Sequence, residues 1–321
     1  MSQQARPGDP ASWFSRRTFG PPFASVEAVA KHRRSRGVDI AVCLPALNEE
    51  KTIGDICRTV TSTLIRDAGL VDQLVVVDSG STDTTRAVAA AAGATVHATT
   101  DILPHLGEVR GKGDALWKSL AVADADIIVW IDADIANFDP SWVARLIAPL
   151  LEDSDIAFVK GFHERLLSDG NGRSDTGGRV TELVVRPLLH LLFPELARVV
   201  QPLSGQCAGR TSVLRQLPFA AGYAVDALLL VDFVDAFGLD SIAQTDLGWL
   251  VHRNRGTLEL GAMAHEILHV LLTRLETLGR IKLPDELPGE LVQFVRSPVG
   301  QVMVPIEANV VERPPMQDVR R

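Results

Sequence analysis

Asp132-Ala133-Asp134 sets two carboxylates one residue apart at the close of an apolar run, Ile127-Ile128-Val129-Trp130-Ile131. Side chains alternate along an extended chain, so both carboxylates face the same way. Open α/β sheets bind ligands beyond the carboxyl ends of their strands, which is where this pair falls. Two hard oxygen donors there suit a divalent cation and the phosphates of a nucleotide. The competing reading is a turn that happens to be acidic, because Asp is common where strands end. Gly177-Gly178-Arg179-Val180-Thr181-Glu182 opens a helix, where free N–H groups, the helix dipole and the Arg179 fork suit an anion. A structural cap explains the same residues equally well. His252-Arg253-Asn254-Arg255 follows an apolar strand, and four polar, mostly basic residues there read as a site rather than as packing.

A rival chemistry is also written in the chain. His265-Glu266-Ile267-Leu268-His269 has the spacing that puts two imidazoles on one helix face to share a zinc, with the Glu as general base. Glu286 or Glu290 would be the third ligand of such a zinc peptidase. The pattern lies in a C-terminal helix after a complete nucleotide-type domain, and short motifs recur by chance. We therefore expect packed or solvated histidines there, and a function independent of His265.

The elements that must position these groups alternate between strand and helix from residue 39 onward. Strands are expected at 39–44, 73–77, 95–98, 125–131, 156–160 and 242–250. Helices are expected from a cap at Asn48 to about 66, then at 84–92, 114–123, 141–151, 177–192 with a bend at Pro187, 224–237 and 258–278. Such alternation makes βαβ units, hence a parallel sheet with right-handed crossovers. No Gly-x-Gly-x-x-Gly follows the first strand, which argues against a dinucleotide-binding domain, and no P-loop motif exists. A mobile arm precedes a helix at 26–36, whose Lys31-His32-Arg33-Arg34 reads as a solvated face. A polar loop is expected at 163–176 and a proline-rich tail from 281, lying over the body or over a partner subunit.

The 321 residues suffice for one large domain or two closely packed ones. A net charge of −8 argues against nonspecific nucleic-acid binding, without excluding a local basic pocket. Cys43, Cys57 and Cys207 are odd in number and far apart, as expected of buried thiols in a reducing compartment. No apolar run approaches the ~18 residues of a membrane span, and no signal-peptide core is evident. The cytoplasm is the expected location.

Taken together, Leu44-Pro45-Ala46-Leu47-Asn48-Glu49-Glu50, Asp78-Ser79-Gly80-Ser81-Thr82-Asp83, Gly111-Lys112-Gly113 and Asp132-Ala133-Asp134 resemble the nucleotide-sugar half of GT-A glycosyltransferases. Gly177 to Leu183, Arg186-Pro187-Leu188-Leu189, Gln201-Pro202-Leu203-Ser204-Gly205 and His252 to Arg255 resemble the glucosyl-3-phosphoglycerate synthases of actinobacteria. The resemblance implies an α/β GT-A fold, a mainly parallel Rossmann-like sheet flanked by helices with a smaller acceptor-binding part and a C-terminal helix. It implies divisions at 1–37 (arm), 38–160 (nucleotide sugar), 161–260 (acceptor and metal completion) and 261–321 (C-terminal helix and tail). The implied reaction is retaining transfer of glucose from UDP-glucose to the 2-hydroxyl of 3-phosphoglycerate, with Mg²⁺ or Mn²⁺, in a homodimer.

By position, Pro45, Ala46, Leu47 and Glu49, with Ser79 and Lys112, would line the uridine pocket, and Asp132 and Ala133 would contact the nucleotide. Asp134 and His252 would bind the metal. Gly178, Arg179, Thr181, Asn254 and Arg255 would hold the acceptor. Asp134, Lys112 and Asp226 would be the catalytic groups, Asp226 contacting the donor sugar in a front-face attack. Gln206 and Asp226 stand where the family leads one to expect Glu. The related mannosyl-3-phosphoglycerate synthases, using GDP-mannose, are therefore the alternative.

Overall fold

The computed structural model describes residues 10–165, 167–168, 173–174, 178–251, 256–284, 287–298 and 300–319. Its frame is one eight-stranded sheet in the order Thr18–Phe19, Ile242–Leu250, Phe158–Arg165, Cys207–Arg210, Ile127–Trp130, Ile40–Ala46, Gln73–Asp78, Thr95–Ala98. Every pairing is parallel except the two made by Cys207–Arg210, which runs antiparallel to both neighbours. The sheet is thus mainly parallel, as the resemblance implied, with one antiparallel strand that strand–helix alternation does not predict. Cys-Ala-Gly-Arg carries no β-branched residue and gives no strand signal. Its small residues are needed because a Cβ on Gly209 would lie 2.9 Å from Leu214 and 3.2 Å from Phe158.

Both faces of the sheet are covered, which explains the unbroken apolar runs. Ala41, Cys43, Ile128 and Trp130 face one core with Leu116, Trp117 and Leu120 of the Lys112–Val122 helix. Ile40, Val42, Leu44, Ile127 and Val129 face the other, under Trp142, Leu146 and Ile147 of the Ser141–Glu152 helix. The helix at Val26–Arg36 packs on that second side. Its basic cluster is not wholly solvated: Arg33 is buried and ion-paired with Asp72 and Asp39.

Other differences from the expected elements have local causes. Asn48 caps no helix; it adopts a left-handed conformation (φ 58°), and its Oδ1 accepts from the Thr82 N–H at 2.8 Å. The next helix starts only at Ile53. The strand ending at Arg165 runs past His163, because Trp249 and Leu250 next door still pair with Glu164 and Arg165. Upstream of Pro187 the helix widens into a π turn over Thr181–Val185.

The tail holds an antiparallel hairpin, Glu290–Ser297 with Gly300–Glu307. Glu312–Arg313 then pairs with Phe219–Ala220 on the same chain. Arg313 binds the buried Asp114 at 2.7 Å and donates to the carbonyls of Leu106 and Gly107, each at 3.0 Å. That contact ties the tail to the helix that begins at Lys112. Among the described residues, no helix is long and apolar enough to cross a membrane.

Candidate active site

At the carboxyl ends of the central strands the connecting loops enclose a cavity of about 400 Å³. Its lining brings together Pro45, Ala46, Leu47, Glu49 and Ser79, then Lys112, Asp132, Ala133 and Asp134, and then Gly178, Arg179, Thr181 and Asp226. Every described residue expected to serve the site therefore lines one cavity. His252, Asn254 and Arg255 lie outside the described residues, as do Arg253 and Gly177.

Hydrogen bonds between the first two loops hold their shape. The Asn48 N–H donates to Ser81 Oγ at 2.9 Å, and the Glu49 N–H to Thr85 Oγ1 at 2.8 Å. Asp78 is fully buried and accepts from the N–H groups of Gly80 and Ser81 at 3.1 and 3.0 Å. It makes the turn that presents Ser79, and is itself structural.

The strand bearing the acidic pair ends at Trp130, before either aspartate. Burial nevertheless keeps alternating: Ile131, Ala133 and Ile135 are buried, while Asp132 and Asp134 are partly exposed. Asp132 is held on both oxygens, by Lys112 Nζ at 2.9 Å on Oδ1 and by the Gln206 amide at 3.0 Å on Oδ2. Burial disfavours its charge, yet Lys112 and Gln206 outweigh that and keep the carboxyl below the usual range. Gly205 lets the loop approach, because a Cβ there would lie 2.0 Å from Asp132 Oδ2.

Lys112 also reaches Asp226 Oδ2 at 2.9 Å, so one ammonium bridges two carboxylates. Burial opposes its charge; the two aspartates overcome this and raise its pKa above the ordinary lysine value. The flanking glycines explain how it gets there. A Cβ on Gly111 would lie 2.4 Å, and on Gly113 1.8 Å, from carbonyl oxygens of Ala221 and Ala220. The helix start is thereby pressed against the segment leading to Asp226.

Four lining or supporting groups were given no role from sequence, although Gln206 was noted as a departure from the family. Gln206 accepts on Oε1 from Ser204 Oγ and pairs with His163 Nε2, both at 3.1 Å, which aims its amide N–H at Asp132. Arg110 and Tyr223 also line the cavity. Lys160 is buried beneath it against Asp226. Its only sequence signal is a lone charge at the end of an apolar strand.

The peptidase-like motif does different work. Glu266 Oε1 accepts from the Tyr223 N–H at 2.5 Å, and its carboxylate also takes the N–H groups of Ala224 and Asn309. A Cβ on Gly222 would meet it at 2.0 Å. Burial pushes the Glu266 pKa up, against those hydrogen bonds. The rings of His265 and His269 are 6.3 Å apart, and among the described residues no group of three metal-ligating side chains forms. Glu266 is a brace for the loop entering the Asp226 helix. His265→Ala should leave turnover within about twofold, whereas Glu266→Ala, stranding buried N–H groups, should cost about 2–3 kcal/mol in a denaturant melt.

Residues 41–218 match the profile described as Glycosyl transferase family 2. The chain is 43% identical over 295 residues to the glucosyl-3-phosphoglycerate synthase of Petrotoga mobilis, covering 92% of this chain and 91% of that one. The chain belongs to the glucosyl-3-phosphoglycerate synthase family. The family's synthase from Mycobacterium tuberculosis, solved with Mn²⁺, UDP and glucosyl-3-phosphoglycerate, superposes with a TM-score of 0.82 at 42% identity, covering 95% of this chain and 99% of that one. A mannosyl-3-phosphoglycerate synthase from Rubrobacter xylanophilus superposes with a TM-score of 0.88 at 34% identity, covering 97% and 100%. These glycosyltransferases share the mixed α/β sheet described above, flanked by helices.

The family implies a divalent metal, and the residues present fit one. Lys112 and Gln206 bind both oxygens of Asp132, and Asp134 is a second carboxylate lining the same cavity that could hold a cation. An oxygen donor lining a nucleotide-sized cavity suits Mg²⁺ or Mn²⁺, with phosphate oxygens completing the shell.

Proposed function

We propose that this protein transfers glucose from UDP-glucose to the 2-hydroxyl of 3-phosphoglycerate, with retention, using Mg²⁺ or Mn²⁺. The observation that carries the reading is the single cavity joining the 45–49 and 79 loops, the acidic pair and Arg179 around Lys112. Family membership at 43% identity supports it. Pro45, Ala46, Leu47, Glu49 and Ser79 take the uridine, with Asp132 and Ala133 beside the nucleotide. Asp134 and His252 hold the metal, which neutralises charge growing on the departing diphosphate. Lys112 supplies a second positive charge for that same group. Residues 38–160 thus serve the donor and 161–260 the acceptor, although one sheet runs through both and the division falls within the Phe158–Arg165 strand.

Gly178, Arg179 and Thr181, with Asn254 and Arg255, bind the acceptor's phosphate and carboxylate, turning recognition into proximity. Arg179→Ala should raise the KM for 3-phosphoglycerate about 30- to 100-fold and change kcat only a few-fold, as steady-state rates would read.

Retention follows from attack on the face the diphosphate leaves. Asp226 is a poor nucleophile, since Lys112 at 2.9 Å and Lys160 at 3.3 Å engage both its oxygens. It is better suited to accept a hydrogen bond from the donor sugar, while the departing phosphate takes the hydroxyl proton.

The enzyme is proposed to act in the cytoplasm as a homodimer. On the Thr257–Thr277 helix, Ile267, Leu271 and Leu275 are spent inside the same chain. Phe294 and Met303, cross-strand neighbours on the hairpin, are 62% and 68% exposed and offer the second copy a surface. Sedimentation would measure the mass.

The chemical test is a matrix of UDP-glucose and GDP-mannose against 3-phosphoglycerate and uncharged acceptors, read by phosphorus NMR. UDP release that requires UDP-glucose, 3-phosphoglycerate and a divalent cation together is the expected result. Turnover with GDP-mannose alone would transfer the assignment to the mannosyl enzyme, the reading favoured by the 0.88 superposition.

A further inference from the structure

Asp226 lies between two lysines from different elements. Lys112, in the first turn of its helix, meets Oδ2 at 2.9 Å. Lys160, in the Phe158–Arg165 strand, lies 3.3 Å from Oδ1 and donates to the Asp226 backbone carbonyl at 3.2 Å. The Lys160 side chain is 1% exposed and is not among the cavity-lining residues. A buried ammonium is costly unless paired, and an apolar side chain of similar length would fill the space without that cost.

Asp132, Lys112, Asp226 and Lys160 form a chain of alternating charge with no net charge. Lys112 is shared by the two carboxylates, and each has a second partner: Gln206 for Asp132, Lys160 for Asp226. Lys112 can therefore leave Asp226 without stranding a bare carboxylate in a buried place.

We propose that Lys160 is a positioning residue that holds the Asp226 carboxylate in place, so that Lys112 is free to turn toward the departing diphosphate. This rests on the transferase reading of the cavity. By holding both the carboxylate and the carbonyl of one residue, Lys160 fixes the side-chain direction of Asp226 at the start of the Val225–Phe237 helix. Without Lys160, Lys112 becomes the sole cation on Asp226 and stays with it.

The test compares wild type, Lys160→Met, Asp226→Asn and the double variant, using UDP-glucose, 3-phosphoglycerate and Mn²⁺. Single-turnover rates at high enzyme concentration keep slow variants measurable. Lys160→Met should lower the rate about 10- to 100-fold and leave the KM of both substrates within about threefold. Adding Lys160→Met to Asp226→Asn should change the rate less than about threefold, because no carboxylate remains to be held. An equal drop in both backgrounds, or a wild-type rate in Lys160→Met, overturns the proposal. Should Lys160→Met fail to fold, the comparison of Asp226→Asn with the double variant decides alone. A wild-type enzyme that releases no UDP under these conditions would defeat the transferase reading itself.

Discussion

Asp134→Ala is expected to lower kcat at least about 10³-fold, a loss of roughly 4 kcal/mol of transition-state stabilisation. Asp132 cannot take over. Its Oδ1 is bound to Lys112 and its Oδ2 to Gln206. The loss should fall on turnover rather than on nucleotide recognition, because the 45–49 loop and Ser79, which line the same cavity, keep their contacts when Asp134 is truncated. UDP binding in the absence of metal, measured by calorimetry, should therefore change little. Added Mn²⁺ should tighten UDP binding in the wild type and do so far less in the variant. A variant that turns over normally would remove Asp134 from the metal site.

Lys112→Met should be nearly as damaging, with about 10²- to 10³-fold lost from kcat. The cause differs: the substitution removes the ammonium bridging Asp132 and Asp226, leaving one carboxylate with an amide and the other with Lys160. Breaking a largely buried ion pair from one side also destabilises the fold, by about 3 kcal/mol. Two readouts follow. Thermal unfolding should shift down, and kcat should stay low at every Mn²⁺ concentration, because the metal cannot supply a charge at the Lys112 position. Activity restored fully by excess metal would mean that Lys112 serves only to arrange the aspartates.

Several pieces of this architecture are local and could be read one segment at a time. The 26–36 helix and the strands at 73–78, 95–98 and 242–250 stand within a residue of their expected bounds. Each is set by a periodicity and by turn residues within about ten positions. The loops that line the cavity were singled out by their resemblance to the motifs of the family. The Cys207–Arg210 strand was missed because nothing in those four residues favours a strand. It forms because the Ile127–Trp130 and Phe158–Arg165 strands leave a slot that only small side chains fit. The hairpin in the tail was hidden by its prolines, and the helix-face reading of Arg33 overlooked a carboxylate at Asp72, far along the chain.

What the chain by itself determined is the kind of fold, the end of the sheet that carries the chemistry and the inventory of charged groups delivered there. Those follow from alternation and turn chemistry, which act over short distances. Partnership was decided only in three dimensions. Lys112 and Asp226 are 114 positions apart, Lys160 and Asp226 are 66 apart, and Glu266 became a brace rather than a base through the Tyr223 amide 43 positions upstream. A carboxylate's role depends on which cation or N–H group packing brings within about 3 Å, and no spacing rule along the chain encodes that distance.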